Sequence, residues 1–128
     1  MKIFLVVTAS IELGAGMVLM CLPSMAVVLL AGTPLETPAA LTVTRIGGAG
    51  LLALGVACWL ARDETQSSAA RGLVTAMLLY NVSAVAIITF AGIGYGIRGI
   101  LLWPGVVLHS VMTAWCIICL RHSDDIRH

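Results

Sequence analysis

Residues 3–22 have the sequence IFLVVTASIELGAGMVLMCL, in which only Glu12 is charged. Because each residue of an α-helix rises about 1.5 Å, twenty residues span about 30 Å, the thickness of the hydrocarbon layer of a bilayer. A secretory signal peptide is the alternative for an apolar start. Glu12 interrupts the stretch, however, and three further apolar stretches come after it. The stretch therefore predicts a transmembrane helix that the protein retains.

Three further stretches have similar length and hydropathy. The four predicted spans are residues 3–22, 40–61, 72–91 and 99–120. Of the 128 residues, 60% are hydrophobic and 10% are charged, whereas soluble domains contain about 25% charged residues. The sequence thus predicts an all-α integral membrane protein, with residues 1–128 forming a single four-helix transmembrane bundle.

Proline and glycine mark the connections between the spans. Pro23 ends the first span, because proline removes a backbone donor and clashes with the preceding turn. Residues 25–31 are too few to cross a bilayer, so we expect them to lie in the membrane interface or to prolong the first helix. The glycine-rich residues 92–99 are expected to leave the helical path.

The distribution of positive charges predicts the orientation, because cytoplasmic loops carry an excess of Lys and Arg. Five such residues fall at the N-terminus, in the second loop or in the C-terminal tail: Lys2, Arg62, Arg71, Arg121 and Arg127. Only Arg98 lies in a loop on the opposite side, where Trp103 would anchor the helix end. We therefore predict a multi-pass protein of the plasma or inner membrane with both termini in the cytoplasm.

Each predicted span contains one polar side chain that is costly in hydrocarbon: Glu12, Arg45, Asn81 and His109. Three of them lie about 15 Å from a helix end, near the midplane, and Arg45 lies about 8 Å from its end. A charge at the bilayer centre costs at least about 2.5–3.5 kcal/mol, so we expect these groups to face the interior and pair. Glu12 would pair with Arg45 or His109, although Arg45 pointing to the outer headgroups is an equal alternative.

Helical spacing adds neighbours to these polar residues. Thr8, Glu12 and Gly16 lie on one stripe of the first helix, and His109 shares a face with Thr113. On the second helix, Arg45 starts a seam of small residues that would allow close helix packing, namely Ala49, Ala53 and Ala57. The predicted site has Glu12 and His109 as its acid–base pair. Its predicted ligand-contacting residues are Arg45, Asn81, Tyr80, Thr8 and Thr113.

Three functions are compatible with this pattern. In the first, the polar groups form an intramembrane pocket that binds an apolar or amphipathic small molecule, such as an isoprenoid, a sterol-like molecule or a quinone, and exchanges protons with it. In the second, Glu12 couples proton movement to transport in an oligomer. In the third, the chain is an accessory subunit of a larger membrane complex, and the polar groups only fix helix register.

Composition excludes some partners and chemistries. A net charge of +1 gives no basic surface for nucleic acid. The spacing of His, Cys and Glu does not indicate a metal site, and no motif indicates a cofactor. The predicted partners are therefore membrane lipid or a lipophilic small molecule, together with a homo-oligomer or a larger membrane complex.

Residues 44–55, with the sequence TRIGGAGLLALG, resemble the second helix of small bacterial four-span membrane proteins of the DoxX-like group. Those proteins have an Arg-x-Gly-Gly start and a Leu-x-Leu-Gly finish in this helix, and their length and span count are also similar. The resemblance implies a four-helix bundle. It implies no particular activity, because most members of that group have none assigned.

The small multidrug-resistance transporters are similar to this chain in size, span count and a lone glutamate midway along the first helix. The resemblance implies that Glu12 would be a carboxylate shared by protons and substrate. Two features depart from that family: it has no counterpart of Arg45 or His109, and it has an aromatic-lined cavity, whereas 5% of this chain is aromatic. We therefore use this family as an analogy for the mechanism of Glu12 and do not assign the chain to it.

Overall fold

The computed structural model describes residues 1–125 and the side chains of residues 1–122, and all regular structure within this range is helical. The helices are α1 (Lys2–Cys21), α2 (Pro23–Ala31), α3 (Pro38–Ala61), α4 (Ser68–Gly94) and α5 (Leu102–Asp125). All but α2 are long and apolar enough to cross a membrane. The predicted all-α class with four long apolar helices is confirmed for this range. Arg127, one of the cations used to predict the orientation, lies outside it.

The chain after α1 forms a separate short helix instead of prolonging the first one. Leu22 breaks the helix with φ of −129° and ψ of 51°. Pro23 then occupies the first position of α2, where its missing N–H leaves no intrahelical hydrogen bond unmade. α2 ends at Gly32, whose φ of 79° favours glycine.

Backbone contacts attach α2 to the connection between α4 and α5. The N–H of Leu101 donates a 2.8 Å hydrogen bond to the carbonyl of Leu29. Gly99 is buried directly against the carbonyl group of Leu30, where a Cβ atom would overlap the backbone of α2. The C-terminal end of α2 and the start of α5 therefore form one joined surface at this end of the bundle.

The glycine-rich segment after α4 leaves the helical path later than predicted. Gly92 is still within α4. A Cβ there would lie 2.9 Å from Cδ2 of Leu102, so this glycine leaves room for the Leu102 side chain of α5. The chain turns at Gly96, which has φ of 68°. Here one glycine serves helix packing and another serves the turn, and composition alone does not distinguish the two uses.

α1 packs antiparallel to α3, and the two backbones touch at a pair of glycines. A Cβ on Gly16 would lie 2.7 Å from the carbonyl oxygen of Gly48 and 2.8 Å from the nitrogen of Leu52. A Cβ on Gly48 would lie 2.9 Å from the carbonyl oxygen of Gly16. Because these neighbours are backbone atoms that cannot rotate away, only glycine fits at the crossing point.

The predicted seam of Arg45, Ala49, Ala53 and Ala57 is therefore wrong. Arg45, Ala49 and Ala53 are exposed and Ala57 is only partly buried, whereas Gly48 and Gly55 are buried against α1. The reason is that backbone contact at this distance requires glycine, while alanine suits the outer face of a membrane helix equally well.

An apolar core joins all four long helices near the end of the bundle where α1 begins. Its buried members include Phe4, Leu5, Val74, Met77 and Cys116. The ring of Phe4 contacts that of Trp115 edge-on, with centroids 5.6 Å apart. At the surface beside this core, Lys2 Nζ lies 2.6 Å from Asp63 Oδ1. This hydrogen bond from Lys2 holds the pKa of Asp63 below its ordinary value.

We predict that Gly16→Ala lowers the free energy of unfolding by about 1–3 kcal/mol, because the new methyl group would overlap backbone atoms of α3. Gly14→Ala is the matched control on the same helix, since a Cβ there meets no atom within 4 Å. Unfolding of both variants in detergent, followed by circular dichroism, measures the difference. Equal stability of the two variants would contradict the close contact.

Candidate functional site

A cavity of about 420 Å³ lies between the α1–α3 pair and the α4–α5 pair, and it is partly open to the surface of the bundle. Every helix contributes to its wall, including α2 through Leu30 and α3 through Leu51. Most of the lining is aliphatic. The polar side chains on the wall are Glu12, Tyr80, Ser83 and His109.

Glu12 projects from the middle of α1 and is 4% exposed. Its carboxyl group makes no hydrogen bond and no ion pair with any residue that the structure describes. It lies close enough to Tyr80 and to the buried Cys58 to interact with both electrostatically. The expected direct pairing of Glu12 with Arg45 or His109 is therefore not formed, and the carboxyl group remains available to the cavity.

Thr8, one helical turn before Glu12, is fully buried as the stripe of Thr8, Glu12 and Gly16 predicted. Its Oγ1 atom has no hydrogen-bond partner in the described part of the chain. Other helical hydroxyls, such as those of Ser10 and Thr75, donate to the carbonyl group four residues earlier. Thr8 lies beside Glu12 but does not line the cavity, so the structure places it behind the wall.

A hydrogen bond with Asn81 positions the ring of His109. The Nδ1 atom of His109 lies 2.8 Å from Oδ1 of Asn81, which is 1% exposed. The Nδ2 atom of Asn81 in turn donates a 2.7 Å hydrogen bond to the carbonyl oxygen of Met77. Asn81 therefore does not contact the cavity itself, and its effect on the site acts through the position of the imidazole ring.

Tyr80 and Ser83 complete the polar part of the wall. The ring of Tyr80 meets that of His109 edge-on, with centroids 5.6 Å apart and an interplanar angle of 83°. Ser83 was absent from the predicted site. The signal was present in the sequence, because Tyr80, Ser83, Ala84 and Ile87 recur at the spacing of one helix face, and all four line the cavity.

Besides Thr8 and Asn81, two further predicted site residues, Arg45 and Thr113, do not line this cavity. Arg45 is exposed and makes no ion pair with a described residue, so the expectation that it faces the interior is not met. It is the eighth residue of α3, and its long side chain can extend toward the nearby helix end. Thr113 instead donates a 2.8 Å hydrogen bond to the carbonyl oxygen of His109. It borders a separate groove of about 180 Å³.

Three of the four cysteines lie in the apolar core near the start of α1. Cys58, Cys116 and Cys119 are buried and free. Among the side chains of residues 1–122, no three His, Cys, Asp or Glu are grouped closely enough to hold a metal ion. The described residues that can exchange protons at the cavity are therefore Glu12, Tyr80 and His109.

We predict that Thr8→Val raises the free energy of unfolding by about 1 kcal/mol, because valine fills the same space without a buried hydroxyl that lacks a partner. Thr75→Val serves as the control, since that hydroxyl is exposed, and we expect it to change stability by no more than about 0.5 kcal/mol. Thermal unfolding in detergent compares the two. A clear loss of stability in Thr8→Val would show that the hydroxyl has a bonding partner.

Comparisons of this chain with models of protein families, with curated proteins and with solved structures find no match. The resemblance of residues 44–55 to DoxX-like proteins accordingly stays a prediction. The residues and geometry described above are the basis on which a function can be argued.

Proposed function

We propose that this protein crosses the cell membrane four times and binds an apolar or amphipathic small molecule in the cavity between its two helix pairs. Glu12 and His109 exchange protons with the polar end of that molecule. Both termini lie on the cytoplasmic side of the plasma or inner membrane.

The outer surface of the bundle supports a location in lipid. Large apolar side chains such as Ile46, Leu60, Leu79 and Ile118 are exposed on it. Soluble proteins rarely expose contiguous apolar patches of such extent, because water disfavours them. The exposed charges at the end of the bundle where α1 begins, including Lys2 and Asp63, match a boundary with water on that side.

The observation that carries the proposed pocket is a set of polar groups without hydrogen-bond partners on an otherwise aliphatic wall, namely the buried Glu12 and the partly buried Tyr80 and His109. The carboxyl group of Glu12, the hydroxyl of Tyr80 and Nε2 of His109 make no hydrogen bond within the described chain. A buried polar group left in this state costs about 1–3 kcal/mol. A ligand with one polar end and an apolar body would satisfy these groups and fill the aliphatic space at the same time.

The size of the cavity agrees with this occupant. Sites for small molecules have volumes of about 300–1,000 Å³, with mostly apolar walls and a few polar groups that set orientation. The cavity of about 420 Å³ lies within that range. Aliphatic side chains such as Leu19, Leu30 and Leu108 would hold the apolar body of the ligand, and the Glu12–Tyr80–His109 side would hold its head.

Proton exchange follows from the residue types present. A carboxyl group and an imidazole are the commonest general acids and bases in proteins, and both border one cavity here. Glu12 would take a proton from the ligand head or return one to it, and His109 would act as the second acceptor. Asn81 is a positioning residue, because it contacts the imidazole and not the cavity.

The alternative functions explain less of this arrangement. A purely structural role accounts for the hydrogen bond between Asn81 and His109, which joins α4 to α5. It does not account for a buried glutamate that bonds to no described residue. Proton-coupled transport uses the same carboxyl group, and it differs from the pocket function in requiring the cavity to open alternately to the two sides.

We predict that Glu12→Gln leaves the protein folded and weakens ligand binding by about 10- to 100-fold, since a charge-assisted hydrogen bond contributes about 1.5–3 kcal/mol. Glu64→Gln is the control, because Glu64 is exposed in the loop after α3. Mass spectrometry of the small molecules that co-purify with wild type and both variants measures ligand retention. Unchanged retention in Glu12→Gln would contradict the proposed pocket.

The same variant separates the three functions. Transport would appear as proton release driven by ligand in reconstituted vesicles, and the release would disappear in Glu12→Gln. An accessory role would appear as a lower melting temperature or a lost partner on purification, with ligand retention unaffected. Loss of ligand retention with an unchanged melting temperature supports the pocket function.

We predict that a membrane-impermeant thiol reagent labels Thr33→Cys in intact cells but labels Gln66→Cys only after the membrane is permeabilised. Both positions are exposed, in the loops before α3 and before α4 respectively. Cys21→Ser serves as the background for both, because Cys21 is the exposed native thiol among the described cysteines. The reverse labelling pattern would place both termini on the outside.

A further inference from the structure

The amide group of Asn81 has one orientation that its neighbours allow. The carbonyl oxygen of Met77, 2.7 Å away, can only accept a hydrogen bond, so the amide atom facing it must be the donor Nδ2. Oδ1 then faces Nδ1 of His109 at 2.8 Å. A flipped amide would set two oxygen atoms against each other and its NH₂ group against the ring.

This orientation determines which nitrogen of His109 carries hydrogen. Because Oδ1 of Asn81 can only accept, Nδ1 of His109 is the N–H donor. A neutral imidazole has a single N–H, so Nε2 carries a lone pair and can only accept. A charged imidazolium would be costly among the aliphatic side chains of this wall. His109 therefore presents an acceptor to the ligand.

The other polar groups on the wall define the matching ligand head. Tyr80 supplies a hydroxyl that can donate. The carboxyl group of Glu12 accepts when ionised and donates when protonated, so its protonated form can bond to the second lone pair of a hydroxyl oxygen. No Lys or Arg among the described residues lines the cavity, and Arg45 is exposed elsewhere on α3. A head that accepts from Tyr80 and donates to Nε2 of His109 satisfies both groups at once.

We propose that the cavity selects lipophilic molecules whose polar head is a hydroxyl group. This inference rests on the proposed function and specifies its ligand class. An ether or ketone has no hydrogen to donate to Nε2 of His109, and an ammonium group has no lone pair to accept the Tyr80 hydrogen. A hydroxyl serves both residues with a single oxygen atom, which accepts from Tyr80 and donates to His109. Asn81 is the specificity-determining residue, because it holds Nδ1 of His109 in the protonated form.

The test uses a matched pair of photoreactive probes, a long-chain alcohol carrying a diazirine and its methyl ether. Each is added to the protein in lipid nanodiscs, and mass spectrometry measures labelling of the peptides that line the cavity. We expect the alcohol to label wild type at least about 10-fold more than the ether, the ratio for about 1.4 kcal/mol of lost hydrogen bonding. Asn81→Leu should reduce this ratio to near unity, since the ring can then adopt either tautomer.

If Asn81→Leu fails to fold, a spectroscopic measurement tests the tautomer of His109 in the chain with the native Asn81. In a chain with His122→Gln and His128→Gln, nitrogen-15 NMR reports the tautomer of His109 directly. A protonated Nδ1 supports the inference and a protonated Nε2 overturns it. Equal labelling by alcohol and ether in wild type also overturns it while leaving the pocket intact. If neither probe labels the cavity, the result contradicts the proposed function and therefore also the inferred preference for a hydroxyl group.

Discussion

The backbone contact between α1 and α3 at Gly16 and Gly48 is the constraint on which the site depends. Gly16 shares a helical stripe with Glu12 and Thr8, so a contact that sets the rotation of α1 against α3 also sets the direction of the carboxyl group. At this rotation Glu12 faces α4 and α5 across the cavity. A helix surface held apart by larger side chains would leave α1 free to turn, and the site would lose its defined geometry.

Each half of the bundle is a pair of helices, and a different kind of contact holds each pair together. Glycine packing joins α1 to α3 without polar groups, whereas a buried hydrogen bond between Asn81 and His109 joins α4 to α5. The cavity lies between these two pairs, so a molecule bound there would contact both. By mass action, such a molecule would stabilise the association of the two pairs as well as occupying the site.

The sequence predicted the fold because bilayer thickness sets a strict length for each apolar helix. The burial of Thr8, Glu12 and Gly16 on one stripe also followed from helical spacing. The outward position of Arg45 and its alanines was missed, because alanine suits both lipid and helix contacts. Thr113 was misplaced because its hydroxyl bonds to the carbonyl four residues earlier, a choice that periodicity does not reveal. The bond between Asn81 and His109 depends on the relative rotation of two helices, which no single-helix pattern contains.

The attachment of α2 to the start of α5 has a consequence for how molecules exchange with the interior. Leu30 borders the cavity, while the neighbouring backbone of Leu29 is bonded to Leu101 and Gly99 lies against the same segment. The end of α2 is attached through its main chain, so it cannot move away from the cavity as readily as a single side chain could change rotamer. The open side of the cavity between the helix pairs is consequently the easier route, and in the proposed membrane location it would face lipid acyl chains.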